Sequence, residues 1–195
     1  MKSPRTSPPL TAVLALVFIG AAYRVAAPSL GWPVNTAPLM ALSFGGALLL
    51  GWRFAWVPVL ALLASDAALG LFGSGGLGGY TLMSAGFYVC TALVGAFAGA
   101  RFKSWPLLWC GTLACGIAFY LAANTYSWIF WPGYDKTLMG WWQSQTTGLP
   151  EYSPPTWVFL RNALIADSTW CGIAGLVWLV AGRYPSETLA GAEKS

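Results

Sequence analysis

Residues 105–130, WPLLWCGTLACGIAFYLAANTYSWIF, run from end to end without one charged side chain. A helix of a soluble protein buries one stripe and wets the other, but this stretch is apolar all round and long enough to cross the roughly 30 Å hydrocarbon core of a bilayer. The chain around it has the same character. Of its 195 residues, 57% are hydrophobic and 8% charged, with ten Lys+Arg and six Asp+Glu. A soluble domain of this length, at about 25% charge, would carry on the order of 50 charged side chains. So few charges cannot hold such a surface in water. A lone soluble domain is excluded, as are a disordered chain, a collagen-like chain and a nucleic-acid binder working through a basic face. The net charge of +4 needs no acidic partner. At roughly 20 residues per span the chain has room for about six spans and no separate catalytic domain. We therefore expect an all-α membrane protein, one integral-membrane domain over residues 1–195 with six transmembrane helices.

The expected spans are 10–27, 38–52, 54–72, 80–100, 105–130 and 157–181, with a long loop 131–156 and a polar tail 182–195. Lys2 and Arg5 precede the first apolar run as in a signal peptide, but Arg24 sits where a cleavage region should be small and neutral, so a retained helix is expected. Span 38–52 is too short to cross as a regular helix, which predicts that Asn35-Thr36-Ala37 enters the protein as non-helical chain. Ala37, Ala41 and Gly45 lie four apart, and Gly95 and Gly99 form a G-x-x-x-G pair; both patterns let neighbouring helices approach closely. The 131–156 loop carries a short helix over 136–145 and suits either a lid or a surface anchor for Trp141 and Trp142.

Chemistry is sparse. Histidine is absent, which removes the commonest metal ligand and general base. Cys90, Cys110, Cys115 and Cys171 fall in apolar stretches without a C-x-x-C pair, so they read as packing residues rather than a disulfide or metal framework. The glycine-rich loop 73–79 lacks the Gly-Lys-Ser/Thr ending of a phosphate-binding loop. No cofactor, no metal and no enzymatic activity are expected.

Orientation follows from the Lys and Arg distribution. Lys2, Arg5, Arg53, Arg101, Lys103, Arg183 and Lys194 fall on one side of six spans, against Arg24 and Lys136 on the other, with Arg161 just inside the last span. Both termini are expected in the cytoplasm, in a multi-pass protein of a bacterial inner membrane. Within the spans stand Asp66, Asn124, Arg161, Asn162 and Asp167, each needing a partner or water in hydrocarbon. All fall within about 15 Å of the outer surface at 1.5 Å per residue. Their common depth predicts one polar cavity open outward under the long loop, with Asn35 reaching in from the same side. Arg161 and Asp167 are too far round one helix to pair, so Arg161 is expected to pair with Asp66 across helices. A buried structural ion pair with Asn124 and Asn162 as interhelical glue is the competing reading. An Asp66–Asp167 dyad for proton coupling or proteolysis is a weaker third.

The segments Asn35-Thr36-Ala37-Pro38, Phe44-Gly45-Gly46, Ser65-Asp66, Asn124 and Arg161-Asn162-Ala163-Leu164-Ile165-Ala166-Asp167 resemble an uncharacterised family of small bacterial six-helix membrane proteins. Those in turn look like the substrate-binding S components of energy-coupling-factor vitamin transporters. The resemblance implies an S-component-like bundle with a pocket near the outer face, lined by Asn35, Asp66, Asn124, Arg161, Asn162 and Asp167. It also implies a vitamin-like ligand and a transporter ATPase and scaffold as partners. Thr36 stands where an aromatic is usual, Ala12 and Ala15 lack the alanine-x-x-x-alanine spacing of the docking face, and loop 73–79 lacks a cysteine for cobalt. The expectation is a solute-binding uptake protein in the lipid bilayer; the alternative is an accessory subunit of a membrane complex whose tryptophan-rich loop docks a partner.

Overall fold

A computed structural model describes residues 10–73, 76–152 and 154–183. The tail from residue 184 onward, the basic residues Lys2, Arg5 and Lys194, the side chains of Ala12 and Arg183, and Ser74 and Gly75 lie outside what it describes. Every regular element among the described residues is a helix. Helix α1 covers Leu10–Ser29; a π-helical stretch Ala41–Gly46 leads into a single α-turn, α2 (Ala47–Leu50), and a 3-10 turn Trp52–Phe54. Then come α3 (Trp56–Leu71), α4 (Gly79–Arg101), α5 (Trp105–Phe130), α6 (Leu138–Gln145) and α7 (Thr156–Arg183).

Among the described residues, three segments are long and apolar enough to cross a bilayer: Trp52–Leu71, Gly79–Arg101 and Trp105–Phe130. Leu14–Ser29 and Ala41–Leu50 are shorter apolar helices. The outward faces of α4 and α5 carry large apolar side chains, such as Leu82 and Phe97 of α4, 73% and 63% exposed, and Phe130 of α5, 67% exposed. Hydrocarbon accepts such a face and water does not. The protein is a membrane protein built as a helical bundle.

Helix α5 spans 105–130, as its sequence predicts. Ser104 caps its start, accepting a hydrogen bond from the Leu107 N–H at 3.3 Å, and Pro106 fits the first turn, where no backbone donor is needed. At the other end Lys136 donates to the Trp131 carbonyl at 2.7 Å and to that of Trp128, placing a cation against the terminal carbonyls.

Over the short expected span 38–52 the chain is not one regular α-helix. The chain widens into the π-turn at 41–46, and Gly51 then turns it sharply at φ +92, a conformation that side chains with a Cβ rarely adopt. Gly45 and Gly46 are poor helix formers, and the widened turn lets Ser43 donate to the Tyr88 carbonyl of α4 at 2.6 Å. This broken segment is the spine of the bundle. Phe44, Leu48, Leu108 and Cys171, all at most 2% exposed, form one core cluster around it. The G-x-x-x-G pair of α4 lies directly on the spine: a methyl at Gly95 would strike the Phe44 carbonyl, and one at Gly99 the Leu48 carbonyl. The Phe44 ring in turn lies against Gly111 of α5.

Gly99→Ala should therefore lower stability by about 1–3 kcal/mol, since the obstacle is backbone and cannot swing away. Gly86→Ala, at a position in α4 with nothing within 4 Å, should be tolerated. Thermal unfolding of the two variants in one detergent checks the contrast.

Candidate functional site

Asp66 on α3 is 7% exposed and does not pair with Arg161. Its partner is Arg24 of α1, which forms the one salt bridge found among the described residues. Arg24 also donates to Ser65 Oγ at 2.8 Å, and Thr81 of α4 donates to the other carboxylate oxygen of Asp66 at 2.6 Å. Both carboxylate oxygens are thus occupied by protein, and α1, α3 and α4 are fastened at one point. Arg161, exposed on α7, bonds instead to the Asn162 amide oxygen at 3.1 Å and stacks 5.4 Å from the centre of the Trp157 ring. A stacked guanidinium on the bundle surface needs no buried counter-ion, which is why the expected cross-helix pair does not form.

A second polar group stitches the loop before the spine to α7. Asn162 donates to the Val34 carbonyl at 3.1 Å, Asn35 to the Phe159 carbonyl at 3.2 Å, and Trp170 to the Thr36 carbonyl at 3.2 Å. Residues 30–37 enter as non-helical chain, as expected, and side chains of α7 satisfy the backbone groups this leaves open. Asn35 itself holds φ +62, a left-handed conformation that asparagine tolerates better than most residues. Asn124 donates to the Tyr120 carbonyl of its own helix at 2.9 Å and borders neither of the cavities described next.

Of the six expected residues, Asn35 and Asp167 meet at one cavity, bounded also by Met40, Tyr88, Gly116 and Tyr120. Its volume is ≈ 30 Å³. That is about the share of one water in the liquid. Asp167 is 3% exposed; the Ala41 backbone N–H donates to its carboxylate, and Gly116 leaves room for it, a methyl there standing 3.0 Å from the nearer oxygen.

The larger space is elsewhere, under the loop after α5. Tyr80, Tyr126, Phe130, Trp131, Tyr134 and Tyr152 enclose an open chamber of ≈ 530 Å³, with Ser127 and Leu149 completing the wall. No lining residue carries a formal charge. Burial pushes the Tyr134 phenol up from its ordinary value, which keeps it un-ionised near neutral pH. Tyr126 packs edge-on against Tyr80 at 6.0 Å and tilted against Phe130 at 4.5 Å, while Trp131 meets Tyr152 at 6.2 Å. The loop that supplies the roof is docked rather than loose. Trp141 of α6 donates to Thr125 Oγ1 at 3.0 Å, Tyr120 donates to the Gln145 carbonyl, and the Trp157 N–H donates to the Thr146 carbonyl at 2.9 Å.

Sequence reasoning missed Arg24 and the chamber. The signal for Arg24 was present, a lone cation inside an apolar run. The chamber residues carry no comparable mark, since aromatics flanking a span also read as an interfacial belt.

Fold and site together define a helical membrane bundle with a charge clamp, a small polar cavity and an aromatic chamber. The chain belongs to a family of unknown function, DUF6580, which matches residues 5–187. No curated protein and no solved structure matches the chain.

Breaking the clamp at Asp66 leaves the part-buried Arg24 without its counter-ion. Asp66→Asn should cost about 3–5 kcal/mol of stability. Arg161→Ala, which removes an exposed stacking contact, should cost under about 1 kcal/mol. Unfolding in detergent that ranked the two variants the other way would restore Arg161 as the partner of Asp66.

Proposed function

We propose that the protein is a multi-pass solute-binding protein of the bacterial inner membrane, with six membrane-crossing segments and both termini in the cytoplasm, working as an S-component-like uptake protein. The observation that carries the reading is the ≈ 530 Å³ chamber. Its size lies within the range of small-molecule sites, about 300–1,000 Å³, and its wall is aromatic with a few hydroxyls, the usual composition of such sites. The excess of Lys and Arg on the side opposite the long loop supports an outward-facing chamber. A short hydrophobic helix can take part in crossing when non-helical chain completes the path inside protein, and the half-buried Thr36 and Ala37 with the buried Pro38 are the stretch that suits this role.

The chamber sets the class of solute. An uncharged, ring-lined wall favours a flat, ring-bearing molecule of vitamin size over a sugar or an inorganic ion. Among the described residues no hydrogen bond occupies the hydroxyls of Tyr80, Tyr126 or Tyr152, so each can meet a polar edge of the solute. The polar residues Asn35, Asp66 and Asn162 serve binding at one remove, by holding the helices and the loop that shape the chamber, whereas Arg161, among the described residues, bonds and stacks only within its own helix. Asn124 stands apart from it. Partners in this reading are the bilayer, the solute and an energy-supplying transporter module.

A second reading has one observation in its favour. On α6, Leu138, Met139 and Trp142 turn outward at 85%, 75% and 59% exposed, a surface on which another subunit of a membrane complex could dock.

Native mass spectrometry of the protein purified in mild detergent separates the two. A single small-molecule adduct, lost in Tyr126→Ala while the melting temperature changes little, is the result expected of a binding protein. A bare protein, or one carrying only phospholipid or a stoichiometric partner chain, argues against the solute reading.

A further inference from the structure

Asp167 presents a charge imbalance that the solute reading does not use. It is 3% exposed among helices, where an ionised carboxylate is costly unless an opposite charge stands near it. The nearest candidates are engaged elsewhere. Arg24 is committed to Asp66, and Arg161 lies exposed against Trp157 and Asn162. Among the described residues, the titratable groups around Asp167 are Tyr88 on α4, Cys115 and Tyr120 on α5 and Cys171 on its own helix, and none of these can supply positive charge. The Ala41 N–H contributes only a dipole.

Beside the carboxylate lies the ≈ 30 Å³ cavity, and the other polar residues that line it, Asn35, Tyr88 and Tyr120, each carry a side-chain oxygen. Tyr120 has already committed its hydroxyl proton to the Gln145 carbonyl, which leaves lone pairs on its oxygen. Hard oxygen donors around one negative charge suit a small hard cation. Among the described residues no group of three His, Cys, Asp or Glu stands together, so the site offers a single formal charge to balance. Asn35 is exposed on its outer flank and borders the cavity on its inner one, which provides a path in.

We propose that Asp167, with Asn35 and the neighbouring tyrosine oxygens, binds one sodium-sized monovalent cation in this cavity. The inference is independent of what the aromatic chamber holds. A cation there joins α7 to the loop that Asn162 and Trp170 already strap to it.

The test is the melting temperature of the full chain in detergent, with sodium chloride titrated against choline chloride at constant ionic strength. Sodium should raise it by roughly 3–5 °C for each tenfold increase above half-saturation. Asp167→Asn should lose the response and be no less stable than the wild type in choline. Asn35→Gly, which keeps the left-handed backbone and removes the amide, should shift half-saturation at least tenfold upward, and it serves as the readout if Asp167→Asn does not fold. Equal curves in sodium and choline, a sodium response surviving in Asp167→Asn, or stabilisation by acid with none by sodium would each overturn the site, the last by placing a proton on the carboxylate instead.

Discussion

The contact between Arg24 and Asp66 constrains the rest of the bundle. Two long-range partners, on α1 and α3, must meet before either can be dehydrated, and Thr81 of α4 and Ser65 must arrive with them to fill the remaining hydrogen-bonding positions. A salt bridge in such a place adds little net stability over an apolar pair, but it strongly penalises every arrangement in which one partner is buried alone. It therefore selects among packings of helices whose apolar surfaces are otherwise interchangeable. Hydrocarbon surrounds correct and incorrect packings equally, so the hydrophobic effect does not make that choice by itself.

With α1, α3 and α4 fixed, the interior must accommodate a segment that is not a regular helix. The spine from 38 to 54 changes from α to π to α to 3-10 winding within a few turns. Each change leaves backbone groups open, and the neighbours are chosen to close them or to stay out of their way. Ser43 reaches the Tyr88 carbonyl, while Gly95 and Gly99 allow α4 to lie against the Phe44 and Leu48 carbonyls without a side chain between. On the far side, α7 supplies amide and indole donors to the entering loop. The expense of irregular backbone is thus met locally, residue by residue.

These features differ in how far the sequence reveals them. Helix α5 is legible in full because composition, a capping serine and a following proline all agree on its ends. The close approach at Gly95 and Gly99 is legible because only glycine permits it. The π-turn is not, since hydrophobic spacing over so short a stretch does not separate one winding from another. Depth along a helix places Asp66, Arg161 and Asp167 at one level but says nothing of azimuth. Arg161 turns out onto the surface, and Arg24, on the same level in α1, takes the expected role. Asn124 shows the same limit: at the right depth, its amide is spent on the carbonyl one turn back.

Volume and polarity are inversely arranged in this molecule. Beside the buried Asp167 the free space is ≈ 30 Å³; where the free space reaches ≈ 530 Å³, the wall is aromatic and uncharged. A ring-bearing solute cannot enter the first space, and a bare ion gains too little in the second to leave water. Intramembrane polarity therefore marks the parts of this protein that fasten its helices and its entering loop, and the wider free space lies apart from them, among the tyrosines and tryptophan under the loop. The loop can serve as a firm roof because α6 is hydrogen-bonded to α5 through Trp141 and Thr125 and through the Tyr120 hydroxyl. Tyr120 also bounds the polar cavity, so a single side chain touches both the ion-sized space and the base of the roof.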